Sequence, residues 1–148
     1  MYLMNSHKIN NILGYSGLIP FYTFSLLTIF ESYTFFLDIF FLYSVIILCF
    51  LSGSLWMKLI TLPKQKENLL FKFVSVSFPL IAMISELFVT YLLKIIIYIL
   101  IYILIYICDQ KTTNNHLPEY MRMRLILTAN VIISHLILIY AIFTYGIL

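Results

Sequence analysis

Residues 89–108 read VTYLLKIIIYILIYILIYIC, and every residue after Lys94 in this stretch is isoleucine, leucine, tyrosine or cysteine. As an α-helix rising about 1.5 Å per residue, roughly 20 residues cover the hydrocarbon core of a bilayer, which is about 30 Å thick. An uninterrupted apolar run of this length is typical of a helix that crosses a membrane. The stretch therefore predicts a transmembrane helix and decides the class of the protein.

The composition of the 148 residues agrees with this prediction. Hydrophobic residues make up 63% and charged residues 10%, whereas charged residues are about 25% of a typical soluble domain. Only helices and closed barrels satisfy the backbone in lipid, and the apolar runs here are too long and alternate too little for barrel strands. We therefore expect an all-α fold, a polytopic membrane helix bundle that forms a single membrane domain over residues 1–148.

Five apolar segments predict five transmembrane helices, over residues 12–30, 33–56, 69–85, 89–108 and 125–148. The third and fourth segments lie in one apolar run of about 40 residues, which would measure about 60 Å as a helix and so must turn once. We predict that turn at Ser85 and Glu86, the polar point of the run. Pro20 predicts a kink or a broken first turn in the first span, because proline removes one hydrogen bond of the helix.

Lysine and arginine gather on one side of the predicted membrane. With five spans, the N-terminus, the second loop and the fourth loop share a side, and they carry Lys8, Lys58, Lys64, Lys66, Lys111, Arg122 and Arg124. Lys94 lies near the turns on the opposite side, where we expect its side chain to snorkel to the surface. The positive-inside rule then places the N-terminus inside and the C-terminus outside.

Two ionisable side chains within the spans are candidates for function. His135 lies about ten residues into the last span, and an ionisable group at that depth is a functional-site hypothesis by default. It could bind a quinone head group, relay protons or ligate haem, but we favour a hydrogen bond to a neighbouring helix or a partner subunit. For Asp38, we favour an aspartate at a helix end over a functional carboxylate.

Small and aromatic residues are candidates for packing against a partner. Small residues let two helices approach closely, and tyrosines four residues apart share one helix face. The candidates are Gly14, Gly17, Gly53, Tyr98, Tyr102 and Tyr106. For the tyrosines we favour packing and hydrogen bonding between helices over the alternative of a polar path.

Arg122 and Arg124 are candidates for binding an anionic lipid such as cardiolipin, because basic residues at the inner interface suit anionic head groups. Trp56 is the third candidate for lipid contact, at the water interface where aromatic belts lie. Motifs for nucleotide binding, serine hydrolysis, zinc and nucleic acid are absent from the sequence. We therefore expect no catalytic residues, no metal, no cofactor and no nucleic-acid partner.

Three short motifs carry a resemblance to a known family. They are LGYSGLIPF at 13–21, FLSGSLW at 50–56 and LPEYMRMRLILT at 117–128. In order and context they resemble the domain-of-unknown-function 3429 family, which includes transmembrane protein 69-like proteins. Ser52 departs from the family pattern, which has glycine there. The resemblance implies five helices in a mitochondrial or bacterial inner membrane, and it supplies no established activity.

The sequence leaves two hypotheses about function. We favour a non-enzymatic integral inner-membrane protein, an accessory subunit or assembly factor of a larger membrane complex, with the respiratory chain as the expected setting. Its partners would be the lipid bilayer and other membrane subunits. The alternative is a small carrier, or a membrane protein that binds a quinone or another cofactor through His135.

Overall fold

The computed structural model describes residues 12–31, 34–61, 69–112 and 118–146. Within these ranges the chain forms five long α-helices, numbered α1 to α5: Ile19–Glu31, Thr34–Thr61, Leu69–Phe88, Tyr91–Thr112 and Pro118–Tyr145. A short helical turn over residues 12–16 precedes α1. The described residues contain no strand, and the predicted all-α fold is confirmed.

The described chain contains five helical segments that are long and apolar enough to cross a membrane: Ile12–Phe30, Thr34–Thr61, Leu69–Phe88, Tyr91–Thr112 and Glu119–Tyr145. The prediction of five transmembrane helices is therefore confirmed. The orientation of the chain ends stays a prediction, and so does the single domain over residues 1–148.

The turn between α3 and α4 differs from its predicted position. The prediction at Ser85 and Glu86 is wrong, because α3 continues to Phe88 and the turn lies at 89–90. The Ser85 hydroxyl donates a hydrogen bond to the carbonyl of Ala82 at 2.7 Å, within its own helix. The Glu86 carboxylate is paired with side chains of α4, so neither polar group needs a loop to satisfy it.

Other helix ends also extend beyond the predicted spans. Helix α2 continues to Thr61, and α5 begins at Pro118. Proline is favoured at the first position of a helix because the backbone N–H that it lacks would have no acceptor within the helix. In the first span, the helix is interrupted at Gly17 and Leu18 before α1 begins. The interruption confirms the broken first turn predicted from Pro20.

The chain divides into two compact units, Met1–Phe40 with Pro118–Leu148, and Phe41–Leu117. In the first unit, α1 packs against α5. A Cβ added at Gly14 would lie 3.4 Å from Sδ of Met123 and 3.4 Å from Cδ1 of Leu127. Glycine thus lets the turn before α1 lie close to α5, in agreement with the close approach that small residues permit in membrane helices.

In the second unit, α3 packs against α4, and α2 contributes its residues from Phe41 onward. Buried residues recur every three or four positions along one face of α4: Lys94, Ile95, Tyr98, Ile101, Tyr102, Ile105, Cys108, Asp109 and Thr112. Near the ends of α2 and α4, Leu55 and Leu59 form a buried cluster with Cys108. This periodicity places one continuous stripe of α4 inside the unit.

Candidate functional site

His135 lies inside the first unit, fully buried on α5. Its Nδ1 lies 2.8 Å from the carbonyl oxygen of Val131, and because a carbonyl only accepts, Nδ1 is the donor. The ring packs edge-on against Phe40, with centroids 4.8 Å apart, and lies 6.1 Å from the ring of Phe21. A ligand that approaches the imidazole ring from this side has to displace one of these phenylalanines.

The polar neighbours of His135 on α5 also bond within the first unit. The hydroxyl of Tyr22 donates to Oδ1 of Asn130 at 2.7 Å, and Nδ2 of Asn130 donates to the carbonyl of Ile126 at 2.8 Å. The hydroxyl of Ser134 donates to the carbonyl of Val131 at 2.7 Å. These polar side chains of α5 thus join α1 to α5 and bond α5 to itself.

A second candidate site lies in the second unit, around Lys94. Its Nζ is 3.2 Å from Oε1 of Glu86, and it lies 4.9 Å from the ring centroid of Phe41 and 5.4 Å from that of Tyr91. The expectation that Lys94 reaches the surface is wrong, since its side chain is 5% exposed. A carboxylate and two aromatic faces stabilise the ammonium group where it is removed from water.

Tyrosines extend this site along α4. The hydroxyl of Tyr98 donates to Oε2 of Glu86 at 2.8 Å and lies 3.2 Å from the carbonyl oxygen of Ala82. One turn later, the hydroxyl of Tyr102 lies 3.1 Å from Oγ of Ser44 and 3.2 Å from its carbonyl oxygen. Tyr106 is half-buried. The tyrosines therefore bond α4 to α3 at one level and to α2 at the next.

A second ion pair lies near the other end of α4. Lys58 of α2 pairs with Asp109 of α4, and the Asp109 side chain is 3% exposed. Between the Tyr102 and Asp109 contacts, the buried hydroxyl of Ser52 has no hydrogen-bond partner among the described residues. A buried hydroxyl without a partner costs free energy, so Ser52 stands out in an otherwise bonded interface.

The residues predicted to bind lipid, and the glycine predicted to pack against a partner on α2, differ in their exposure. Arg122 is exposed, whereas Arg124 is buried and has an interaction within the described chain. Trp56 is exposed near the end of α2. Gly53 is exposed, and a Cβ added there would meet nothing within 4 Å. The lipid-binding and partner-packing roles of these residues stay predictions.

Sequence reasoning missed the two partner carboxylates, Glu86 and Asp109, because it placed both at helix ends or in loops. One signal was available for Glu86. It precedes Lys94 by eight residues across a turn, which brings opposite charges to the same level of two antiparallel helices. Asp38 is exposed near the start of α2, and its role as an end-of-helix aspartate stays a prediction. Among the described residues, no group of three histidine, cysteine or acidic side chains could hold a metal ion.

Comparisons with known proteins identify a family but no individual relative. The model of a family described as "Protein of unknown function (DUF3429)" matches residues 6–140. No curated protein matches the chain, and no solved structure matches it. The matched range covers all three sequence motifs and the whole of α1 to α4.

Proposed function

This chain belongs to the domain-of-unknown-function 3429 family, and from that premise we propose that it is an accessory subunit or assembly factor of a larger membrane complex. The proposed setting is a mitochondrial or bacterial inner membrane, with the respiratory chain as the expected host. In this proposal the protein is not an enzyme. The similarity to transmembrane protein 69 stays a prediction.

The observation that carries the proposal is the large unburied surface of the spans. In an apolar 18-residue stretch of each described span, between 17% and 39% of the residues are buried by the chain itself. The remaining apolar surface is available to lipid and to other transmembrane helices. Because lipid is as apolar as leucine, helices associate in membranes through close packing and polar contacts rather than through the hydrophobic effect.

The exposed face of α2 offers such close packing. Cys49 and Gly53 lie one turn apart and both are exposed, with open space beside Gly53. Two small side chains one turn apart form a shallow groove into which a second helix backbone fits. Tyr98 and Tyr102 are buried within the unit, which leaves the α2 face as our candidate for the partner contact.

Anionic lipid is the second proposed partner. Arg122 is exposed in the first turns of α5, where its guanidinium group could bind a phosphate of a lipid such as cardiolipin. Arg124 is buried, so we narrow the proposed lipid contact to Arg122. Trp56 would lie at the head-group level on α2.

Purification from native membranes in a mild detergent tests the main proposal. On a native gel we expect the wild-type chain to migrate with other membrane subunits. Gly53→Leu fills the groove and should weaken that association by about tenfold, a typical effect of a central interface residue. Ala129→Leu adds bulk at an exposed position of α5 and serves as the control, which should keep its partners. Recovery of the wild-type chain only as a lone monomer would overturn the proposal.

A further inference from the structure

The turn between α3 and α4 presents apolar side chains at its surface. Leu87 is 71% exposed and Phe88 is 81% exposed. In the sequence, Glu86 is the only charged residue between Lys72 and Lys94. Turns in water are rich in glycine, proline, asparagine, aspartate and serine, none of which occurs at residues 86–91. The turn therefore lacks the composition of a connection that lies in water.

The two charged side chains beside this turn are directed into the protein. Nζ of Lys94 lies 3.2 Å from Oε1 of Glu86, and the Lys94 side chain is 5% exposed. The hydroxyl of Tyr98 donates to the other carboxylate oxygen of Glu86 at 2.8 Å. A lysine near the end of a membrane helix usually extends its ammonium group to the nearest water. The inward course of Lys94, in the first turns of α4, is what we expect where the surroundings are lipid.

The backbone of the turn is also largely bonded within the protein. The N–H of Val89 donates to the carbonyl of Ser85 at 3.1 Å, and the N–H of Lys94 donates to the carbonyl of Thr90 at 2.9 Å. Nζ of Lys94 donates to the carbonyl of Glu86 at 3.4 Å. Carbonyl groups at the end of a helix have no partner within that helix, and acyl chains offer none. Two of the last four carbonyls of α3 thus have the partners that a lipid environment requires.

The length of α4 places the turn relative to the bilayer. The pair of Lys58 and Asp109, beside the exposed Lys111, marks the other end of the helix. Tyr91 lies 18 positions before Asp109, which is about 27 Å along the helix axis. The hydrocarbon core is about 30 Å thick, and an average tilt of about 20° shortens the reach further. With the ion pair at one boundary of the core, the turn lies just inside the opposite boundary.

We propose that Leu87 and Phe88 form an apolar anchor that is seated among the acyl chains of phospholipid, in the leaflet opposite the pair of Lys58 and Asp109. The N–H groups of the first turn of α4, which have no acceptor in their own helix, lie at the level of the ester carbonyls of the same lipids. The anchor separates the pair of Glu86 and Lys94 from water. This inference goes beyond the proposed role as an accessory subunit and does not depend on it.

Tryptophan fluorescence in liposomes tests the anchor. Trp56 is the only tryptophan of the chain, so the double variant Trp56→Phe, Phe88→Trp reports on the anchor alone. The whole chain is reconstituted in phosphatidylcholine vesicles, either with lipids brominated in the upper acyl chain or with iodide in the water on both sides of the membrane. We expect the brominated lipids to quench the emission and iodide quenching to be lost.

The matched control is the double variant Trp56→Phe, Lys111→Trp, at the exposed position beyond Asp109 at the other end of α4. Its emission should be quenched by iodide. The proposal is overturned if iodide quenches the Phe88→Trp variant as it quenches the control. It is also overturned if neither quencher acts on the Phe88→Trp variant, because the turn is then covered by protein, which in these vesicles is a second copy of the chain. Should Phe88→Trp fail to fold, Leu87→Trp makes the same comparison under the same criteria.

Discussion

Replacing Lys94 by methionine removes the ammonium group from the second unit but keeps a long, apolar side chain. The variant loses the contact with Oε1 of Glu86 at 3.2 Å and the contacts with the rings of Phe41 and Tyr91. It leaves the Glu86 carboxylate bonded to the hydroxyl of Tyr98. The perturbation therefore isolates the cost of a membrane carboxylate that has lost its counter-charge.

The expected cost follows from the burial of the two partners. Removing one member of a buried ion pair typically costs about 3–5 kcal/mol, because the other charge remains without compensation. Lys94 is 5% exposed and Glu86 is 26% exposed, so the Glu86 carboxylate is incompletely buried and the cost is smaller than for a fully buried pair. We expect Lys94→Met to lower the free energy of unfolding by about 3 kcal/mol, at the low end of that range.

Adding Glu86→Gln should restore part of this loss, since the amide removes the charge and still accepts the hydrogen bond from Tyr98. We expect the double variant to recover at least about 1.5 kcal/mol relative to the sum of the two single variants. Lys111→Met, at an exposed position of the same helix, is the control and should change stability by less than about 0.5 kcal/mol.

Reversible unfolding in mixed micelles, followed by circular dichroism as the denaturing detergent is increased, measures the wild type, the two single variants, the double variant and the Lys111→Met control. The reasoning is refuted if Lys94→Met unfolds at the wild-type midpoint, or if the effects of the two substitutions simply add. Either result would mean that the ammonium and the carboxylate do not stabilise each other.

Four further predictions follow from the packing. Ser52→Ala should stabilise the fold by about 1 kcal/mol because it removes an unsatisfied hydroxyl. Ser44→Ala should instead cost about 0.5 kcal/mol, because the hydroxyl of Tyr102 loses the Ser44 hydroxyl and keeps only the backbone carbonyl at that position; unfolding midpoints that move in the same direction would contradict this. Gly14→Leu should destabilise the first unit by about 1–3 kcal/mol through overpacking, while Gly53→Leu, facing open space, should leave the unfolding midpoint unchanged. His135→Ala should leave the quinone and chromophore content of the purified protein unchanged if the ring is structural, and its loss would favour the carrier hypothesis. Cysteines introduced at the two chain ends should react with an impermeant reagent from opposite compartments, and labelling from one side only would overturn the predicted orientation.

The number of membrane helices and their approximate positions could be predicted from sequence because they depend on the length and hydrophobicity of each segment by itself. The run at 89–108 is long enough to cross a bilayer whatever it packs against. The same holds for the other four spans, whose existence is confirmed although their ends moved by several residues. The ends moved because partners elsewhere, such as Lys94 for Glu86, satisfy polar groups that looked like loop residues.

The candidate sites could be predicted only in part. His135 was identified from its depth in the last span, but its packing against Phe21 and Phe40 depends on how α1 and the start of α2 lie against α5. Likewise the spacing of Tyr98 and Tyr102 predicted a shared face, and hydrogen bonding between helices was the favoured interpretation. The hydrogen-bond acceptors of the two hydroxyls could not be predicted from the sequence of either helix alone.

By itself, then, the sequence determined that this protein is a five-span helical membrane protein, since hydrophobic length and backbone satisfaction in lipid are properties of each segment. Only the tertiary structure decided that Lys58 pairs with Asp109, 51 positions away, and that Ser44 meets Tyr102, 58 positions away. The physical reason is that a polar side chain in a membrane helix finds a partner only if the neighbouring helix places one at the same level. The relative position of two helices along their axes is set by the packing of their whole faces.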